Sequence, residues 1–63
     1  MANLLDKAKS ILAGLIFCYN NVHKGGAYRQ TRKVLKQQWY HLPADVRYEA
    51  CLQSGPPPSE VRP

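Results

Sequence analysis

The 63-residue sequence lacks the motifs on which enzymes, metalloproteins and nucleotide-binding proteins depend. The segment His23-Lys24-Gly25-Gly26 combines glycines with a basic residue. It has neither the glycine spacing of a phosphate loop nor a following Ser or Thr. Zinc modules hold cysteines or histidines in close pairs, and no such pair exists among Cys18, His23, His41 and Cys51. A helical chain of this length also has little volume for a catalytic pocket. We therefore expect no enzymatic activity, no bound metal and no cofactor.

Acidic residues are scarce, and the middle of the chain has none. Four Asp and Glu residues stand against nine Lys and Arg residues, which gives a formal charge of +5. No acid falls within residues 7–44, but seven cations do: Lys7, Lys9, Lys24, Arg29, Arg32, Lys33 and Lys36. A stretch of one sign favours a polyanion or an acidic protein surface as the partner. A solvated helix face is the alternative interpretation.

The sequence also has no hydrophobic run long enough to span a bilayer. The apolar segment at 11–19 is far shorter than the roughly 20 residues that a span requires. As a secretion signal it is unsuitable, because Asp6 interrupts the basic start and bulky Phe17 precedes Cys18, where lipoprotein cleavage needs a small residue. We therefore expect a cytoplasmic protein that does not bind membranes, with Cys18 and Cys51 as reduced apolar fillers.

Two helical patterns, separated by Gly25-Gly26, occupy most of the chain. The first covers about 3–23 and begins at Asn3, a favoured N-cap residue. Its apolar residues recur at steps of three and four, at Leu5, Ala8, Leu12, Leu15, Tyr19 and Val22. The second covers about 27–42, and its apolar stripe comprises Tyr28, Leu35 and Leu42 with Thr31, Val34 and Trp39 beside them. Glycines between two such helices predict a helical hairpin.

A third, shorter helix is predicted over about 43–54. Pro43 ends the second pattern and suits the first turn of a new helix, which Gly55 closes. One side of this helix carries Ala44, Tyr48, Cys51 and Leu52. Residues 56–63 are rich in proline and poor in apolar side chains, so they predict a disordered tail that is dispensable for folding.

The predicted architecture is all-α, with one helical domain at 1–55 made of the hairpin and the third helix. So short a chain rarely forms a sufficient core alone. We therefore expect homo-oligomerisation, as a homodimer, to complete the core.

Two surfaces are candidates for contact with a partner. The first is the cationic face of the second helix, formed by Arg29, Arg32, Lys33, Lys36 and Tyr40. The second surrounds Phe17, which falls on the polar face of the first helix among the small residues Ser10, Ala13 and Gly14. Small residues allow close approach of another helix, so Phe17 would be the knob of a second packing surface. A lone exposed apolar residue is the alternative, since such residues are common.

These features favour a small non-enzymatic regulatory protein that binds a host or cellular protein through its helical surfaces. The alternative is a small basic regulator that binds nucleic acid, with the cationic face against successive phosphates. In size, basic charge and helical pattern, the whole chain resembles the short accessory proteins encoded in the early regions of temperate, lambda-like bacteriophages. This resemblance of type implies a regulator that binds a host factor, and it assigns no role to any residue.

Overall fold

The computed structural model describes residues 3–63 and is all-α over that range, which confirms the predicted class. The helices are α1 (Leu4–Asn21), α2 (Gly26–His41) and α3 (Ala44–Ser54), and a 3-10 turn, Val22–Lys24, follows α1. The sequence predicts helices at about 3–23, 27–42 and 43–54, close to these bounds. Residues 1 and 2 of the predicted domain lie outside the described range.

Helix α1 is the central element and packs against both α2 and α3, which make few contacts with each other. It begins as predicted, because the Asn3 side-chain oxygen accepts a hydrogen bond from the backbone N–H of Asp6 at 2.8 Å. The apolar stripe of α1 is buried at Ala8, Ile11, Leu12, Leu15 and Cys18. This stripe forms the floor of the core.

Helix α2 returns along α1 after an extended Gly25, and the two helices approach closely at Gly14. A Cβ atom added to Gly14 would lie 2.9 Å from Cδ1 of Leu35, closer than such atoms normally come. Part of the predicted apolar stripe of α2 faces outward, since Thr31 is exposed and Val34 is 53% exposed. The α2 side chains in the core or packed against it are Leu35, Trp39 and Leu42.

Helix α3 does not bury its two largest apolar side chains. Ala50 is fully buried and Val46 is half-buried, whereas Tyr48 is 59% and Leu52 is 80% exposed. Arg47 also points inward, toward the end of α2. Its Nη1 donates hydrogen bonds to the carbonyl oxygens of Leu42 at 2.5 Å and Tyr40 at 3.3 Å. A guanidinium there satisfies carbonyls at the helix end and complements the helix dipole.

The C-terminal segment, residues 55–63, folds back onto the core, which corrects the prediction of a disordered tail. Gly55, with φ of +94°, ends α3 in a conformation that favours glycine. The prolines then lead into a turn in which the Val61 N–H donates to the Pro58 carbonyl at 2.8 Å. Val61 is only 4% exposed and belongs to the core. The buried indole N–H of Trp39 donates to the carbonyl oxygen of Arg62 at 2.7 Å.

Two physical effects explain why this segment is ordered despite its low apolar content. Consecutive prolines have few conformations in the unfolded chain, so fixing them loses little entropy. A buried indole N–H needs an acceptor, and the Arg62 carbonyl supplies it. Among residues 3–63, the core formed in this way comprises nine buried apolar residues: Ala8, Ile11, Leu12, Leu15, Cys18, Trp39, Leu42, Ala50 and Val61. The α1 stripe is therefore buried or half-buried within one chain, whereas the α2 stripe leaves Thr31 and Val34 exposed.

Truncation after Gly55 should destabilise the protein. It removes the buried Val61 side chain and leaves the indole N–H of Trp39 without its acceptor, which together cost about 2–4 kcal/mol. We expect the midpoint of thermal unfolding, followed by circular dichroism and by the fluorescence of the single tryptophan, to fall by more than about 5 °C. Ser59→Ala, at an exposed position of the same segment, is the control and should leave the midpoint unchanged. An unchanged midpoint after truncation would show that the segment adds nothing to the core.

Substitutions at Gly14 should depend on side-chain size. Gly14→Ala gains about 1 kcal/mol of helix propensity, and the clashing atom is the flexible end of Leu35, so we expect a net change within about 1 kcal/mol. Gly14→Val must displace Leu35 further and should destabilise by about 1–3 kcal/mol. Ala13→Val, exposed on the same helix, controls for the propensity of valine. A midpoint of urea unfolding for Gly14→Val as high as that of the original chain would contradict the close contact of α1 and α2.

Candidate functional site

The cationic face of α2 lines an open groove beside α1 and the C-terminal segment. The groove has a volume of about 340 Å³ and is lined by Tyr19, Arg29, Gln30, Arg32, Lys33, Lys36 and Glu60. The four cations share one side of α2 because their spacing of three and four residues matches the helical repeat. The structure thus brings the four predicted cations into one concave surface. We call this surface, with Tyr19 and Glu60, the cationic groove.

Arg32 is the most constrained cation of the groove. Its guanidinium carbon lies 4.9 Å from the centroid of the Tyr19 ring, a cation–π contact between α2 and α1. Arg32 and Lys36 are half-buried, whereas Arg29 and Lys33 are exposed at the rim. Stacking on a ring face leaves the N–H groups at the guanidinium edge available to an anion. Arg32 is therefore a preorganised donor flanked by three further cations.

The charge of the cationic groove is largely uncompensated. Glu60 carries the one carboxylate among the described residues that line it. Fixed positive charge on a concave surface raises the local concentration of anions, an effect that salt screens. The groove can therefore attract and hold an anionic group.

Tyr40, which the sequence places on the cationic face, lies outside the groove and makes internal contacts. Its hydroxyl oxygen accepts a hydrogen bond from the backbone N–H of Arg62 at 2.9 Å. The guanidinium of Arg47 lies 5.8 Å from the centroid of its ring. Tyr40 thus joins α2 to α3 and to the C-terminal segment. Conversely, sequence reasoning missed Tyr19 and Glu60, because their approach to α2 depends on the hairpin crossing and the returning segment.

The four residues of the predicted second packing surface do not form one free surface. Gly14 faces Leu35 of α2 within the molecule, while Ser10 and Ala13 are exposed. The Phe17 ring packs against that of Tyr28, with centroids 5.8 Å apart and planes inclined by 57°. Phe17 nevertheless remains 57% exposed. Phe17 therefore contacts Tyr28 of α2 on one side, and its outer side is exposed.

A further exposed apolar surface, absent from the sequence-based candidates, lies on the outside of α3. Tyr48 and Leu52 are one helical turn apart and project away from the core. The missed signal is Arg47, whose polar contacts with the end of α2 fix which side of α3 faces inward.

The remaining candidate ligands and nucleophiles are dispersed. Both cysteines are free, and burial raises the pKa of the Cys51 thiol, which lowers its thiolate fraction at neutral pH. Residues 3–63 contain no group of three or more His, Cys, Asp or Glu side chains placed to hold a metal ion. Within the same range, none of the helices combines the length and hydropathy that crossing a membrane requires.

Comparison with known proteins gives no similarity on which to base an assignment. No protein-family model matches the chain, and neither the curated proteins nor the solved structures contain a significant match.

Proposed function

We propose that this chain is a small, non-enzymatic regulatory protein that binds a cellular or host protein through its helical surfaces. The supporting observation is the outer side of α3, where Tyr48 and Leu52 expose large apolar areas one turn apart. Apolar anchors at this spacing fit the mode in which a helix docks into a hydrophobic groove of a partner. Tyrosine is also among the residues that contribute most at protein interfaces.

The charge of the molecule supports the same proposal. The cationic groove gives an acidic protein surface a long-range attraction that speeds association, while the apolar pair on α3 slows dissociation. The resemblance in type to phage accessory proteins favours a host factor in the cytoplasm as the partner.

The double variant Tyr48→Ser with Leu52→Ser should weaken partner binding by about tenfold or more. Each substitution removes apolar area that the partner would bury. The fold should survive, because neither side chain lies in the core. Retention of protein partners from a nuclease-treated lysate, quantified by mass spectrometry, is the measurement. Val34→Ser, at an exposed apolar position of α2, is the matched control. Equal retention by the double variant and the control would rule out α3 as the docking surface.

The second candidate function is nucleic-acid binding through the cationic groove. Four cations on one side of α2, with a single lining carboxylate among the described residues, favour it. The variant with Arg29, Arg32, Lys33 and Lys36 all changed to Gln should remain helical, because Gln is a good helix former.

If the partner of the groove is nucleic acid, each lost phosphate contact should reduce the slope of log affinity against log salt by about one. If the partner is an acidic protein surface, the same variant should mainly slow association, with an effect that fades at high salt. Fluorescence anisotropy across a salt series distinguishes the two. A partner that binds the quadruple variant as tightly as the original chain would leave the groove as a solvated helix face.

We also propose that the chain forms a homodimer, with the free outer side of Phe17 in the contact. Light scattering after gel filtration at micromolar concentration should give twice the chain mass of 7.1 kDa. Phe17→Ser should shift this mass toward the monomer while helix content is kept, because Phe17 is not a core residue. A monomer that melts cooperatively would refute the dimer.

A further inference from the structure

We propose that the cationic groove is a phosphate-binding site, in which Arg32 anchors the phosphate and the charge of Glu60 weakens its binding. The proposal rests on the cationic groove and is independent of the protein-docking surface on α3. The ligand class is a phosphate group, carried either by a small phosphate compound or by the phosphodiester backbone of a nucleic acid.

The first argument is the fixed position of Arg32. Most surface arginines lose considerable side-chain freedom when they bind an anion. Arg32 is already half-buried and stacked on Tyr19 at 4.9 Å, so much of that ordering is complete before a ligand arrives. The planar guanidinium fork also matches the oxygen geometry of phosphate.

The second argument is the charge and size of the groove. On α2, Arg29 lies one turn before Arg32, Lys33 is its neighbour and Lys36 lies one turn after it. Lysines at such positions act as mobile point charges that neutralise a multiply charged anion. The volume of about 340 Å³ is at the lower end of small-ligand sites, and it exceeds what a single carboxylate would occupy.

The third argument concerns the carboxylate that the protein itself supplies. Glu60 lines the groove because Val61 is buried in the core and Arg62 is bonded to Trp39 and Tyr40. Its side chain is exposed, and it carries the one carboxylate among the described residues that line the groove. A phosphate carries more charge and more acceptor oxygens than a carboxylate. Glu60 therefore repels such a ligand and lowers the affinity of the groove for it.

The test measures binding of two probes, inorganic pyrophosphate by calorimetry and a 12-base-pair DNA duplex by fluorescence anisotropy, both at low salt. Arg32→Gln should weaken binding about tenfold or more, because it removes a charge-assisted anchor. Lys7→Gln removes the same charge from an exposed position outside the groove and should weaken binding less than about twofold. Glu60→Gln should strengthen binding about threefold, whereas Asp45→Asn, an exposed control with the same charge change, should leave it nearly unchanged.

Two further variants examine how Arg32 is held. Tyr19→Phe keeps the ring under the guanidinium and should bind as the original chain does, whereas Tyr19→Leu should weaken binding several-fold. Circular dichroism melts confirm that each variant is folded under the binding conditions. The double variant Tyr48→Ser with Leu52→Ser should bind both probes normally, which separates this site from the proposed protein-docking surface.

Pyrophosphate binding with this pattern of variants supports the site and identifies a small phosphate compound as its ligand. Duplex binding alone, with the same pattern, supports the site and identifies the phosphodiester backbone. The proposal is overturned if neither probe binds. It is also overturned if Arg32→Gln and Lys7→Gln weaken binding equally, or if Glu60→Gln and Asp45→Asn strengthen it equally, because net charge alone would then explain the affinity.

Discussion

The hydrogen bond from the indole of Trp39 to the carbonyl of Arg62 is the interaction on which the rest of the fold depends. A fully buried indole contributes a large apolar surface, but its N–H cannot be left without an acceptor. In this protein the acceptor comes from 23 residues further along the chain. The same residue, Arg62, donates its backbone N–H to Tyr40, so two neighbouring side chains of α2 hold one peptide segment. These two hydrogen bonds place Val61 in the core and Glu60 at the cationic groove.

The placement of the segment also explains how two helices with few mutual contacts form one body with α1. Helix α1 provides the floor, and α2 and α3 pack on it separately. The space between them is bridged by the C-terminal segment and by Arg47, whose guanidinium reaches the end of α2. These bridging contacts involve backbone carbonyl groups and an aromatic ring. They fix the positions of α2 and α3 and leave the outer side of α3 uncovered. The surfaces available for partners are those that this arrangement leaves uncovered.

Local sequence patterns predicted those parts of the molecule that depend on neighbours along the chain. The helical periodicity gives the three helices, Asn3 gives the start of α1, and the spacing of the basic residues gives one side of α2. The remaining features depend on contacts between distant residues. The inward side of α3 follows from Arg47 meeting α2, and the order of the C-terminal segment follows from the requirement of Trp39 for an acceptor. Composition alone does not show that the indole N–H of Trp39 will form a hydrogen bond with the backbone of a proline-rich segment.

The hydrogen bonds of Arg62 also determine how the protein opens locally. Segments held by few buried apolar contacts open with free energies below that of global unfolding. The C-terminal segment contributes one buried side chain, Val61, and two hydrogen bonds to α2. When this segment opens, the indole N–H of Trp39 loses its acceptor without any need for the helices to unfold. Hydrogen exchange at this one side-chain N–H therefore follows the opening of the segment separately from the unfolding of the helices.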